Sequence, residues 1–190
     1  MKMTIKKCHI EHFKGIAEKE IIFNSDITDI RGHNGSGKST IASAVYFVLG
    51  DCDYQLNNKP MVQPLNDPEV RPNVKLWLDI DGKEIVVEKT QKTVTKADEN
   101  IGKTTTTTTN TYAVNGVPKS NRDFLQYFSD LGLDLDKFLI LSHPDAFTKD
   151  NSAKGRENIR KALFEMASVK ADLEIAKEMS GISELTVELG

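Results

Sequence analysis

Residues 32–39 read Gly-His-Asn-Gly-Ser-Gly-Lys-Ser, and no other stretch limits so sharply what this chain can fold into. They fit G-x-x-x-x-G-K-[ST] at every fixed position. Gly32, Gly35 and Gly37 let the backbone turn where a side chain would block it, and bring N–H groups inward. A helix starting at this point adds its own free N–H groups and its positive end. Together they make a cradle for an anion. The motif needs a strand before it and a helix after it. Ile27–Ile30 is expected as that strand. Ile41, Ala44, Val45, Val48 and Leu49 then follow at i, i+3, i+4, i+7 and i+8, which predicts a helix with one buried face, stopped by Gly50. In such a loop the Lys38 ammonium reaches the β- and γ-phosphates of a nucleotide, and the Ser39 hydroxyl ligates Mg²⁺. ATP and Mg²⁺ are therefore the expected cofactors.

The rest of the 190-residue chain reads as an α/β protein. Residues 3–10 and 18–23 are rich in strand formers, with Lys14-Gly15 as the turn between them. Residues 51–73 hold Pro60, Pro64, Pro68 and Pro72 and read as a long surface loop. Val74, Leu76, Leu78 and Ile80 alternate strictly; Asp81-Gly82 is a hairpin turn, and 83–90 is the return strand. Residues 90–111 contain ten threonines, six of them consecutive from Thr104 to Thr109. That run has no amphipathic pattern and is expected as a floppy hairpin tip. Asn115-Gly116 marks a small hairpin over 111–119. Phe124, Phe128 and Leu131 share a stripe on a helix from Asn121. Residues 137–142 are expected as a short apolar strand, 154–167 as a helix, and 170–179 as a last helix. The net charge of −3, with 28% charged residues, gives no global nucleic-acid signature, so any such contact must be local. No window has the ~18–20 apolar residues of a membrane span. The first residues lack the apolar core of a leader. Cys8 and Cys52 are too few for a disulfide framework or a CxxC site. These features point to a cytoplasmic chain without a membrane partner.

IKKCHIEHFKGIAEKEIIF followed by GHNGSGKST resembles the N-terminal half of an ATPase head of the SMC, RecF and SbcC kind. These are ABC-type P-loop ATPases that act on DNA in repair and recombination. FLILSHPDAF with the basic helix KGRENIRKALFEMA is similar to phage-encoded members, AAA-family ATPases of DNA repair. The resemblance implies an N-terminal lobe only, spanning 1–190. Its parts are 1–50 with the loop and first helix, 51–119 with the hairpins, and 120–190 with the helices. It also implies a mixed sheet carrying the loop, with an antiparallel β layer beside it. Gly32, His33, Asn34, Gly35, Ser36, Gly37, Lys38, Ser39 and Thr40 would bind ATP, with Lys14 near the phosphates. The family's water-sensing Gln is replaced here by Ser142-His143-Pro144, which makes His143 a candidate catalytic residue, since an imidazole can hydrogen-bond water. The signature helix and the apolar strand ending in Asp-Glu are missing; VKLWLDID and Met179-Ser180-Gly181-Ile182 only imitate them. The partners implied are double-stranded DNA, a second head or the C-terminal lobe in an ATP-dependent dimer, and a nuclease.

Two other readings stand beside this one. Gly32-x-x-Gly35-x-Gly37-Lys38 also fits the loop of a small nucleoside or nucleotide kinase, with Arg156 and Arg160 as lid arginines. About thirty residues of sheet before the loop count against it. A non-enzymatic nucleotide-binding or interaction module fits the missing carboxylates. His9 and His12, three apart in a strand, fall on opposite faces and so do not share a metal. Trp77, out of phase with Leu76 and Leu78, covers the other face of the sheet or meets a partner. Lys154, Arg156, Arg160 and Lys161 make a basic helix face interrupted by Glu157 and Glu165.

Overall fold

A computed structural model describes residues 2–24, 27–64, 67, 69–98, 103–143, 145 and 153–166. Six strands, β1 (Met3–Phe13), β2 (Ile16–Ile22), β3 (Asn73–Ile80), β4 (Lys83–Asp98), β5 (Lys103–Val114) and β6 (Val117–Lys119), form one sheet in the order β2-β1-β3-β4-β5-β6. Every pairing is antiparallel. The sheet described is thus the antiparallel layer, not a mixed sheet. Ile27–Ile30 is not a strand; it has no ladder partner, and Ile27 is 83% exposed. Its sequence suits a strand, but a strand needs a neighbour to take its N–H and C=O groups.

Alternation settles which face of the sheet is buried. Val74, Leu76, Leu78 and Ile80 of β3 point to the core with Cys8 and Ile10 of β1 and Ile85 and Val87 of β4. Asp81 (φ 49°) with Gly82 (φ 84°) and Asn115 (φ 50°) with Gly116 (φ 77°) form the tight turns, and two positive φ angles match the twist of the flanking strands. Helix α1 (Lys38–Gly50) lies on β1, β3 and β4, α2 (Asn121–Asp130) on β5 and β6, and α3 (Leu135–Ser142) packs on α1. Ser120 caps α2, its hydroxyl accepting from the Asp123 amide at 3.1 Å, and Phe124 and Phe128 fill the space below. Residues 137–142 belong to this helical layer and not to a strand. The Asp134 carboxylate accepts from the Asp136 and Lys137 amides, and an N-cap starts a helix where a short apolar run alone decides nothing.

Two further expectations change. The threonine-rich stretch is regular: β4 and β5 pair rung by rung from Val87↔Val114 out to Asp98↔Lys103. Threonine is β-branched and suits an extended chain, so pairing alone suffices without a core. The proline-rich loop is stitched into the core at Cys52, Pro60, Val62 and Pro72. Gln91, fully buried, accepts from the Val62 amide at 2.9 Å and donates to the Pro60 carbonyl at 2.9 Å.

The chain divides into two units, Met1–His143 and Pro144–Gly190. In the second, α4 (Ala153–Met166) exposes Arg156, Arg160 and Lys161, with the Arg160 guanidinium 5.2 Å from the Phe164 ring centre. The helix expected over 170–179 and the Met179–Ile182 segment lie outside the described residues. Among the described residues, no helix is long and apolar enough to cross a membrane.

Candidate phosphate-binding site

The loop from Gly32 to Gly37 is exposed and runs directly into α1. Gly35 (φ 82°) and Gly37 (φ 88°) are left-handed, a conformation that costs ordinary residues about 1–2 kcal/mol. At Gly32 a Cβ atom would stand 2.5 Å from the Ser36 Oγ. Left-handed backbone thus keeps side chains out at Gly35 and Gly37, and one at Gly32 would displace the Ser36 hydroxyl. Gly37 is the N-cap of α1, no side chain caps the first amides, and the first turn carries no acid. The helix thus presents uncapped donors and its positive end.

A pocket of about 540 Å³ opens here, lined by Gly15, Ile16 and Asn34 through Thr40. The Lys38 ammonium donates to the Gly32 and His33 carbonyls, each at 2.8 Å, which holds the cation across the loop. Converging amides, one ammonium and the Ser39 hydroxyl suit a chain of phosphates. Among the described residues no carboxylate lines this pocket; its hydroxyls are those of Ser36, Ser39 and Thr40, and Ser39 follows the lysine at the motif position whose hydroxyl ligates Mg²⁺ in such loops.

The surroundings position this loop. Lys14 (φ 52°) sits in the β1–β2 turn, and its ammonium lies 3.4 Å from Asp53. It does not line the pocket; its neighbours Gly15 and Ile16 do. Burial raises the Asp53 carboxyl, but hydrogen bonds from the Asn57 backbone and side chain, the Lys14 charge and the Gln55 amide outweigh it and leave Asp53 below its ordinary value. At the other end of α1, Asp51 takes the left-handed C-cap position (φ 50°). Gly50 closes the helix for a different reason: a Cβ there would meet Leu139 at 3.2 Å. Lys89 of β4 is fully buried and donates to the Phe47 carbonyl at 2.7 Å and to the Asp51 carboxylate. Its ammonium also stands 4.1 Å from the centre of the Phe47 ring. Burial pushes this ammonium below its ordinary value, against the opposing pull of Asp51. A cation at a helix C-terminus is favourable, and here it pins α1 to the sheet.

His143 is placed elsewhere than a water-positioning role would require. It is 2% exposed, caps the end of α3, and its Nε2 lies 2.7 Å from the Tyr54 carbonyl. The rings of Tyr46 and Tyr54 stand 5.2 Å from it on either count. It is a packed core histidine, not a pocket residue.

Residues 4–181 match the family model described as the RecF/RecN/SMC N terminal domain. The chain belongs to that family. This SMC/RecF-type N-terminal domain is 30% identical over 176 residues to the chromosome partition protein Smc of Clostridium kluyveri (strain NBRC 12016), covering 88% of this chain and 14% of that protein. The domain thus spans about one seventh of the length of this relative. Its fold is that of a structure described for ATP-driven dimerization and DNA-stimulated activation of SMC ATPases, with a TM-score of 0.55 at 20% identity, covering 84% of this chain and 98% of that one. It is also that of the Smc head domain with an extended coiled coil bound to the C-terminal domain of ScpA, derived from Pyrococcus furiosus, with a TM-score of 0.54 at 20% identity, covering 94% of this chain and 46% of that one. An α/β SMC-type ATPase head, in its N-terminal portion, is the architecture. Membership in this family sets the small-kinase reading aside. In this SMC/RecF-type domain Asn34 through Thr40, adjacent in the motif, line one pocket. Gly15, Ile16 and Lys89 reach this end of the molecule through the β1–β2 turn and the sheet pairing, and Asp53 through the loop that follows α1, so no local motif marked their places.

Proposed function

We propose that this domain is the Mg-ATP-binding lobe of a DNA repair or recombination ATPase. The single observation that carries the reading is the side-chain-free cradle at Gly32, Gly35 and Gly37, opening onto the uncapped start of α1 with Lys38 across it. Gly32 through Thr40 would surround the phosphates, with Ser39 on Mg²⁺. Lys14 would act from the turn beside the pocket, steered by Asp53.

Hydrolysis requires a carboxylate to hold the metal and another to activate water, and the pocket lining has neither. Both would come from a C-terminal lobe or a second head that closes over ATP, as the family resemblance implies. Ile27–Ile30 supports this: it leads into the loop and has no strand neighbour among the described residues. In the complete head it would become a strand between strands of the other lobe. Double-stranded DNA and a nuclease would be partners of that closed assembly, with 1–190 as its first lobe.

Calorimetric titration of Mg-ATP into the domain tests the reading. Binding is expected in the parent chain and weakened about 10- to 150-fold in Lys38→Ala, the loss of a charge-assisted contact worth roughly 1.5–3 kcal/mol. Equal binding by the variant would overturn the assignment. Hydrolysis is expected only when a segment carrying the Asp-Glu strand is added.

A further inference from the structure

On the outer face of the sheet, away from α1, several charges are matched across strands, and two rungs, Asp79↔Glu84 and Glu11↔Glu18, set like charges opposite each other. Lys7 pairs with Glu20 at 2.7 Å, Lys75 with Glu88 at 3.6 Å, and Lys6 with Asp79 at 3.5 Å. Glu11 and Glu18 stand directly opposite each other on β1 and β2. Like charges on one rung repel, and among the described residues neither has a lysine or arginine within ion-pair distance. What lies between them is the His9 imidazole, with Nε2 3.2 Å from Glu18 and Nδ1 3.9 Å from Glu11. His9 and Glu11 share this face because they are two apart in the strand.

We propose that His9, Glu11 and Glu18 form a binding site for a late first-row divalent cation such as Zn²⁺. One ligand atom from each residue lies within 4.8 Å of the other two. The 3.2 Å spacing between His9 and Glu18 is close to the ~3.3 Å edge of a tetrahedron with bonds of ~2.0–2.1 Å. Glu11, half-exposed, closes the third position by a side-chain rotation. One neutral imidazole and two carboxylates neutralise a dication and leave a position for water. The imidazole favours zinc or cobalt over Mg²⁺, which prefers oxygen ligands alone. The cation would replace a repulsive rung with a clip across the β1–β2 hairpin. The turn of that hairpin carries Gly15 and Ile16 into the wall of the phosphate pocket, so the clip would hold that wall. The site stands independently of the nucleotide reading.

Co²⁺ titrated into the 190-residue chain, followed by its visible absorption, is the test. One equivalent is expected to bind, to be displaced by Zn²⁺ and to resist a large excess of Mg²⁺. His9→Asn and Glu18→Gln should each weaken it by more than the ~10–100-fold that loss of a mere supporting contact causes. His12→Asn, whose imidazole is exposed at the strand end, should leave it unchanged. The Cys8 thiol does not compete, since it is buried in the core on the opposite face of the strand from His9. A second readout is thermal: Co²⁺ should raise the melting temperature of the parent and of His12→Asn, and not of His9→Asn. Equal Co²⁺ affinity in the parent and in a folded His9→Asn chain would overturn the site. So would an affinity for Mg²⁺ equal to that for Co²⁺.

Discussion

The phosphate loop and the threonine ribbon both leave the packed core, and they do so by opposite means. The loop is irregular, and Gly35 and Gly37 are each set by a left-handed conformation. The ribbon is regular, and its residues are nearly interchangeable: Thr93↔Thr108 and Thr95↔Thr106 repeat one rung. Between them lies β4, whose inner half carries Lys89 under α1 and whose outer half carries the ribbon. A site is held in one unusual shape by its neighbours, whereas a ladder holds itself. That contrast orders the expected effects of mutation.

The largest effect should come where the two regions are joined. Lys89→Ala removes the cation from the Phe47 carbonyl and from the part-buried Asp51 carboxylate, to which only the Asn110 amide at 3.4 Å is otherwise seen to donate among the described side chains. A loss of about 3 kcal/mol is expected, as for breaking a buried pair, read from urea unfolding. A loss no greater than that of a surface lysine would mean that α1 is held by apolar packing alone. Gly37→Ala should follow. The fold should survive, but ATP affinity should fall about 30-fold, the equivalent of ~2 kcal/mol of left-handed strain and a displaced amide. Unchanged affinity would show that the loop tolerates an ordinary residue and is less specific than its geometry implies.

Asp53 sharpens the same comparison through pH. Its carboxyl titrates below the ordinary value near 3.8 in the folded chain, so its stabilisation is complete above that ordinary value. It is lost as pH falls through the lower, folded value. Asp53→Asn should cost about 1 kcal/mol at neutral pH and flatten that part of the acid unfolding curve. A curve of unchanged shape would mean that other carboxylates govern it. The smallest effect is expected at the ribbon. Replacing residues 95–106 with Asn-Gly, so that Val94 and Thr107 flank a tight turn, should change stability by no more than ~0.5 kcal/mol and leave ATP affinity as it was. A larger loss of either would end the distinction between the two regions.

Much of this division was legible in the residues alone. The alternation of Val74, Leu76, Leu78 and Ile80 specified a strand with a buried face, and Asp81-Gly82 and Asn115-Gly116 specified their turns. The loop motif specified its own helix. Failures came where a partner far along the chain decides the outcome. Ile27–Ile30 has the composition of a strand but lacks a ladder neighbour. Residues 137–142 read as a short strand from their apolar run, and the Asp134 cap makes them a helix. The threonines looked structureless because amphipathic patterning reports burial, and a ribbon that buries little has none to report. His143 was a candidate catalytic residue by its place in the resemblance, because a preceding serine and a following proline say nothing about Tyr46 and Tyr54 standing beside it.

The threonine run has a consequence for how such a domain can change. Because Thr104–Thr109 are chemically identical, adding or deleting two residues on each side of the turn restores the same rungs on the same faces. Each such step would move the tip by roughly 7 Å while every residue under α1 keeps its partner. The arm can therefore vary in reach by simple insertion or deletion, without any compensating substitution in the lobe that carries it.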